Sequence, residues 1–108
     1  MEFENKVVVV TGGARGIGKA ICEHFEKEGA KVCLIDILEN DFFVGDISDK
    51  ANLEAFAEKV ISKYGRVDVL VNNALPIMRG IDSCSFEEFQ YALSVGVTAP
   101  FYLSKLFK

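Results

Sequence analysis

Positions 11 to 18 read Thr11-Gly12-Gly13-Ala14-Arg15-Gly16-Ile17-Gly18, four glycines in eight residues. Glycine at this density clears side chains from a turn, so main-chain N–H groups can approach an anion closely. The turn follows a run of four valines, Val7 to Val10, and leads into a segment of helical periodicity. A helix starting there adds its unpaired N–H groups and the positive end of its dipole. Strand, glycine turn and helix in that order predict a diphosphate-binding bend, with Thr11, Gly12, Arg15, Gly16, Ile17 and Gly18 as the candidate contacts.

A second group extends the pattern. Asp36 closes the next apolar run, 18 residues after Gly18. An acid there can accept hydrogen bonds from the ribose hydroxyls of an adenosine. A diphosphate bend and a ribose acid together predict a dinucleotide. The carboxylate would repel a 2′-phosphate, so NAD is expected over NADP. Arg15 pulls the other way, because a cation in the bend could hold that phosphate, but Asp36 occupies the deciding position.

Two other phosphate or cofactor loops compete. Gly13 to Lys19 fits the G-x-x-x-x-G-K start of a triphosphatase loop, but Ala20 stands where Ser or Thr must ligate magnesium. That reading is rejected. An S-adenosylmethionine site also uses a glycine loop and a strand-end acid, so it is set aside only by the glycine spacing and the Asn72-Asn73-Ala74 segment.

The elements that must position these residues follow from periodicity. Residues 6–10 are too uniformly apolar for a half-exposed strand and suit a parallel strand covered on both faces. Residues 17–28 are expected as a helix with Ile17, Ala20, Ile21 and Phe25 on its packed face, closed by Gly29. Residues 31–36 and 42–44 read as strands. Residues 50–64 place Leu53, Phe56, Ala57, Val60, Ile61 and Tyr64 on one stripe before Gly65. Residues 66–71 form a fourth strand, and Ser85-x-x-Glu88 is a capping box opening a long last helix over residues 86–108. This alternation predicts an α/β fold, a Rossmann-like doubly wound parallel sheet of about four strands in one domain. The connection after Asp36 is cramped. A parallel crossover normally takes a dozen residues or more, but five extended residues reach roughly 17 Å and a three-residue strand is only about 10 Å long, so a helix-free return is expected to be possible.

The glycine bend, Asp36, Gly45-Asp46-Ile47 and Val71-Asn72-Asn73-Ala74 together resemble the short-chain dehydrogenase/reductase family across essentially the whole chain. The resemblance implies that Asp46 and Ile47 border the adenine. It also implies that Asn72, Asn73 and Ala74 run beside the cofactor and steady the central sheet. Three departures stand out. Leu75 replaces the glycine that usually follows Asn-Asn-Ala. Gly96 stands four residues before Pro100, where the family places a relay Asn, and a mid-helix glycine costs about 1 kcal/mol against Ala. Gly96 is therefore expected to mark close backbone packing. The family's catalytic Ser and Tyr-x-x-x-Lys do not occur in these 108 residues. Tyr102 and Lys105 are three apart rather than four, so Tyr102 is expected in the core or an interface. No residue here is assigned as catalytic.

Composition limits the remaining choices. Half the residues are apolar and the net charge is −4, a globular balance without the basic stripe that nucleic acid requires. No apolar run is long enough to span a membrane, and the charged N-terminus does not read as a signal peptide. Cys22, Cys33 and Cys84 are odd in number and lack metal-ligand spacing. They are expected as buried free thiols in the cytoplasm. His24 has no evident catalytic partner. The leading expectation is the NAD-binding half of an oxidoreductase, truncated before its catalytic half, which in full-length form passes hydride between NAD(H) and a small alcohol or carbonyl substrate. The alternative is a non-catalytic NAD-binding or oligomerisation module. In either case a homo-oligomer through residues 86–108 is expected.

Overall fold

The computed structural model describes residues 2–76, 80 and 82–108. Four strands, β1 (Val7–Thr11), β2 (Lys31–Asp36), β3 (Phe43–Val44) and β4 (Val69–Asn72), form one parallel sheet in the order β3-β2-β1-β4. Helix α1 (Gly16–Lys27) joins β1 to β2, and α2 (Lys50–Tyr64) joins β3 to β4. Helix α3 (Phe86–Leu93), a π-helical turn (Ser94–Thr98) and α4 (Ala99–Leu106) then follow one another without a break.

Strand β1 is the centre because every one of its residues is buried. Successive side chains of a strand point to opposite faces. Val7 and Val9 accordingly join a core with Cys33, Ile35, Phe56, Val60 and Leu103 beneath α2 and α4. Val8 and Val10 pack with Cys22 and Ala30 beneath α1. The all-valine run thus serves two cores at once.

Most boundaries agree with the sequence to within a residue or two, and the differences have local causes. Strand β4 starts at Val69 because Arg66 and Asp68 are used otherwise. The Asp68 carboxylate accepts from Val7 N (2.8 Å) and Arg66 Nε (3.1 Å), tying off the start of β1. Those contacts, the Val7 N–H first, hold the Asp68 carboxyl below its usual range. The last helix is not regular and ends at Leu106. Pro100 lacks an N–H, and its ring crowds the carbonyl four residues back. The chain absorbs this with a wide turn in which the Ala99 N–H reaches the Ser94 carbonyl. Ile17, expected on the packed stripe of α1, is 76% exposed. Cys22 and Cys33 are buried, and desolvation pushes both thiols up to about 11, whereas Cys84 is only half-buried.

The cramped connection resolves simply. Strand β3 pairs only with the last two residues of β2, Ile35 with Phe43 and Asp36 with Val44. The chain therefore curls back beside the strand tip and need not travel the length of the sheet. A two-residue strand is what such a short return permits. The capping box of α3 is present, with Ser85 Oγ accepting from Glu88 N and Glu88 Oε1 accepting from Ser85 N, both at 3.0 Å.

Phe56 holds the α2 side of the core. It is fully buried and meets Phe42, Phe43 and Phe107 edge-on at 5.6–6.2 Å between ring centroids. Truncating such a residue to Ala costs about 3–5 kcal/mol, a large share of the roughly 5–15 kcal/mol available to a small domain. Phe56→Ala is expected to lower the urea midpoint sharply or leave the chain unfolded. An unchanged midpoint would contradict this placement of the core.

Candidate functional site

A cleft of about 340 Å³ opens at the carboxyl ends of the parallel strands. That size lies at the lower end of the roughly 300–1,000 Å³ usual for small-ligand sites. The location is where open parallel sheets bind ligands. Its walls come from the bend after β1, the tip of β2, the segment after β3, the segment after β4 and the helix α3 with its π-helical turn.

The bend is built on backbone geometry that side chains would spoil. Gly12 sits at φ +68°, and a Cβ there would approach Ala74 Cα to 3.0 Å. A Cβ on Gly18 would come within 2.0 Å of the Gly12 carbonyl oxygen and 2.5 Å of Asn73 Nδ2. The bend can therefore close on the start of α1 only with glycine at this position. Arg15 is the N-cap residue of α1 and makes no side-chain cap, and the first turn carries no acid. The opening turn of α1, through Gly16, Ile17 and Gly18, lines the cleft. This is the arrangement that suits an anion.

A clamp joins the bend to the segment after β4. The Thr11 hydroxyl oxygen accepts from the backbone N–H groups of Asn73 (3.1 Å) and Ala74 (3.0 Å). Asn73 Nδ2 donates to the Gly12 carbonyl at 3.0 Å. Asp36 lies at the β2 tip with both carboxylate oxygens engaged. Ala14 N donates to Oδ2 and Leu38 N to Oδ1, each at 3.0 Å. Each oxygen retains a further lone pair for a hydroxyl donor. Opposite, Asp46 Oδ1 accepts from Ser48 N at 2.9 Å, and Oδ2 accepts from the Tyr91 hydroxyl at 3.0 Å. Partial burial and the Asp46 carboxylate raise the Tyr91 phenol above its usual range.

Of the twelve candidate residues, Gly12, Arg15, Gly16, Ile17, Gly18, Asp36, Asp46, Ile47, Asn73 and Ala74 all line the cleft. Thr11 is buried behind it as the clamp, and Asn72 is an exposed strand-end residue paired with Thr11 in the ladder. Sequence reasoning missed Ile37, Leu38, Tyr91 and Val95. Tyr91 reaches Asp46 across 45 residues, which no local motif encodes. The buried Val95 one turn later is the only phase signal that marks its face. Leu75 extends into the cleft mouth at 85% exposure. The expectation that packing requires Gly96 is not met among the described residues: outside its own helix backbone, the nearest atom to a Cβ there is Pro76 Cδ, at an ordinary 4.0 Å. Tyr102, expected in core or interface, is half-buried against the core under α2 and α4, and its hydroxyl donates to Glu54 at the surface.

These features fit a nicotinamide dinucleotide, and the short chain dehydrogenase pattern matches residues 6–108. The chain belongs to the short chain dehydrogenase family. An oxidoreductase of Thermotoga maritima is 37% identical over 122 aligned positions, covering 97% of this chain and 48% of the relative. Among solved structures, the apo SCOR enzyme from Clostridium thermocellum superposes with a TM-score of 0.85 at 46% identity, over 94% of this chain and 47% of that one. A metagenomic short-chain oxidoreductase in complex with NADP gives 0.89 at 30% identity, over 99% of this chain and 56% of that one. The chain thus spans about half the length of the relatives it matches. Among the described residues, no helix is long and apolar enough to cross a membrane.

Gly18→Ala tests the bend. The added methyl cannot fit beside the Gly12 carbonyl, so nicotinamide dinucleotide binding is expected to fall by at least about tenfold, or 1.4 kcal/mol. Isothermal titration of variant and parent chains reads this directly, and equal affinities would show that the bend is not where the ligand rests.

Proposed function

We propose that this chain is the NAD-binding half of a short-chain dehydrogenase/reductase whose full-length form passes hydride between NAD(H) and a small alcohol or carbonyl compound. The observation that carries the reading is Asp36, a carboxylate held at the cleft by two main-chain N–H groups. In this reading the bend from Gly12 to Gly18 holds the diphosphate, and Asp36 accepts from the adenosine ribose. Asp46 and Ile47 border the adenine, while Asn73 and Ala74, backed by Thr11 and Asn72, shape the nicotinamide side. Bound there, the nicotinamide would supply or take up a hydride. These 108 residues contribute binding, orientation and exclusion of water, and no general acid or base is assigned among them.

The preference for NAD rests on charge. Arg15 is the one basic residue among the described residues of the cleft wall, against Asp36 and Asp46. A 2′-phosphate would have to approach the Asp36 carboxylate, and like charges at close range repel strongly where water is partly excluded. NADP in the metagenomic relative belongs to a protein 30% identical to this one. Charged hydrogen bonds contribute about 1.5–3 kcal/mol each. Asp36→Ala is therefore expected to weaken NAD binding roughly ten- to a hundredfold and to improve NADP binding. A fluorescence titration that finds the same NAD-to-NADP ratio in both proteins would refute the assignment.

A non-catalytic binding or oligomerisation module is the second reading, and Leu75 at the cleft mouth is the observation that favours it. Steady-state turnover by the full-length gene product separates the two. The last helix supports self-association under either. Phe86, Phe89, Leu93, Val97 and Phe101 form a stripe at helical spacing and are all exposed, Phe86 to 74% and Phe101 to 65%. Apolar stripes of this kind mark contact surfaces. Unpaired Cys22 and Cys33 support a reducing cytoplasmic setting. Native mass spectrometry is expected to show a dimer or larger assembly, and Val97→Glu with Phe101→Glu to shift it to monomer. A parent chain that is monomeric at micromolar concentration would remove this part of the reading.

A further inference from the structure

The return from β2 to β3 is organised around one side chain. Asn40 Nδ2 donates to the carbonyls of Leu38 (2.9 Å) and Phe43 (3.0 Å), and Asn40 Oδ1 accepts from the N–H groups of Phe42 and Phe43, both at 2.9 Å. A carboxamide offers two donors and two lone pairs, so Asn40 is used to capacity inside a six-residue link. The link ends on the cleft. Ile37 and Leu38 form part of its wall. The Leu38 N–H donates to Asp36 Oδ1, and the Gly45 N–H donates to the Asp36 carbonyl at 2.9 Å. The carbonyl that Asn40 grips and the N–H that Asp36 accepts belong to the same residue, Leu38.

We propose that Asn40 is a positioning residue for the Asp36 carboxylate, and through it sets the preference of the cleft for a ribose 2′-hydroxyl over a 2′-phosphate. This rests on the NAD-binding reading above. With Asn40 in place, Leu38 is fixed and its N–H fixes one carboxylate oxygen, while Ala14 on the glycine bend fixes the other. The acid is then presented in one orientation, at no ordering cost when a ribose arrives. Without Asn40 the link loses four hydrogen bonds, Leu38 is released, and the carboxylate can rotate away from the ribose. The relatives need not share this device. In the Thermotoga oxidoreductase comparison, 97% of the 108 residues are spread over 122 aligned positions, so the aligned part of that relative carries residues that this chain lacks.

Isothermal titration of the parent chain and of Asn40→Ala with NAD and with NADP tests the proposal. The expected result is a loss of about tenfold in NAD affinity, the size of a charge-assisted contact, with NADP affinity unchanged or improved. A residue serving stability alone would weaken both dinucleotides equally, and that outcome overturns the proposal. Should Asn40→Ala fail to give a cooperative melt, Asn40→Ser, which keeps one acceptor oxygen, is read in the same way. A double-mutant cycle adds the decisive arm: in an Asp36→Ala background, Asn40→Ala is expected to leave the NAD-to-NADP ratio where Asp36→Ala put it. A further independent shift would show that Asn40 does not act through Asp36. A parent chain that binds NADP as well as NAD defeats the NAD reading itself. A parent that prefers NAD while Asn40→Ala keeps that preference defeats only the role of Asn40.

Discussion

The cleft depends on a single hydroxyl. Thr11 Oγ1 is buried at the end of β1 and accepts from two successive main-chain N–H groups, those of Asn73 and Ala74, more than sixty residues later in the chain. Two backbone donors that face inward without a partner would each cost about 1–3 kcal/mol. One threonine serves the Ala74 N–H and shares the Asn73 N–H with the Val71 carbonyl (3.2 Å), and thereby locks the tip of β4 to the tip of β1. The Asn73 side chain completes the link by donating to Gly12. The glycine bend is thus held on one side by β1 and on the other by the segment after β4, and its shape does not depend on a ligand to draw it closed.

From that lock the other features of the site follow in order. Gly18 must lack a side chain because the Gly12 carbonyl and Asn73 amide already occupy the space. Helix α1 then starts close against the sheet with its first turn on the cleft wall. Asp36 reaches the bend through Ala14, so the tip of β2 is fastened to the same structure. The cleft wall therefore draws on three adjacent strands whose tips are cross-linked by side chains as well as by the sheet ladder.

Much of this was legible in the residues because it is local. The four-valine run, the glycine spacing, the Ser85 capping box and the acid ending β2 each announce themselves within a few positions, and the structure has all four. What could not be read is what spans long separations or depends on exact register. Tyr91 meets Asp46 only because the last helix lies across the sheet end. The sequence position of Thr11 gives no sign that its hydroxyl faces the segment after β4, where it accepts from Asn73 and Ala74. The place of Gly96 in the helix suggests tight packing, but among the described residues a Cβ there would meet only Pro76 Cδ at an ordinary 4.0 Å, and this stretch of helix is shaped by Pro100 instead. The short β2–β3 link leaves room only for a cramped, helix-free return, and the sequence does not say that this suffices because β3 meets only the tip of its neighbour.

The handedness of the connections has an outcome for chain growth. Helix α2 carries the chain from β3, at one border, across the sheet to β4 at the other, and the π-helical turn and α4 pack into the same core through Val95, Ala99 and Leu103. Crossovers between parallel strands are right-handed in nearly all proteins. A polypeptide leaving α4 and re-entering the sheet in parallel must therefore keep moving in the direction α2 set, and dock outside β4. The border beyond Val69 to Asn72 is consequently where the sheet can widen, and a strand arriving there would lie directly beside the Leu75 mouth of the cleft.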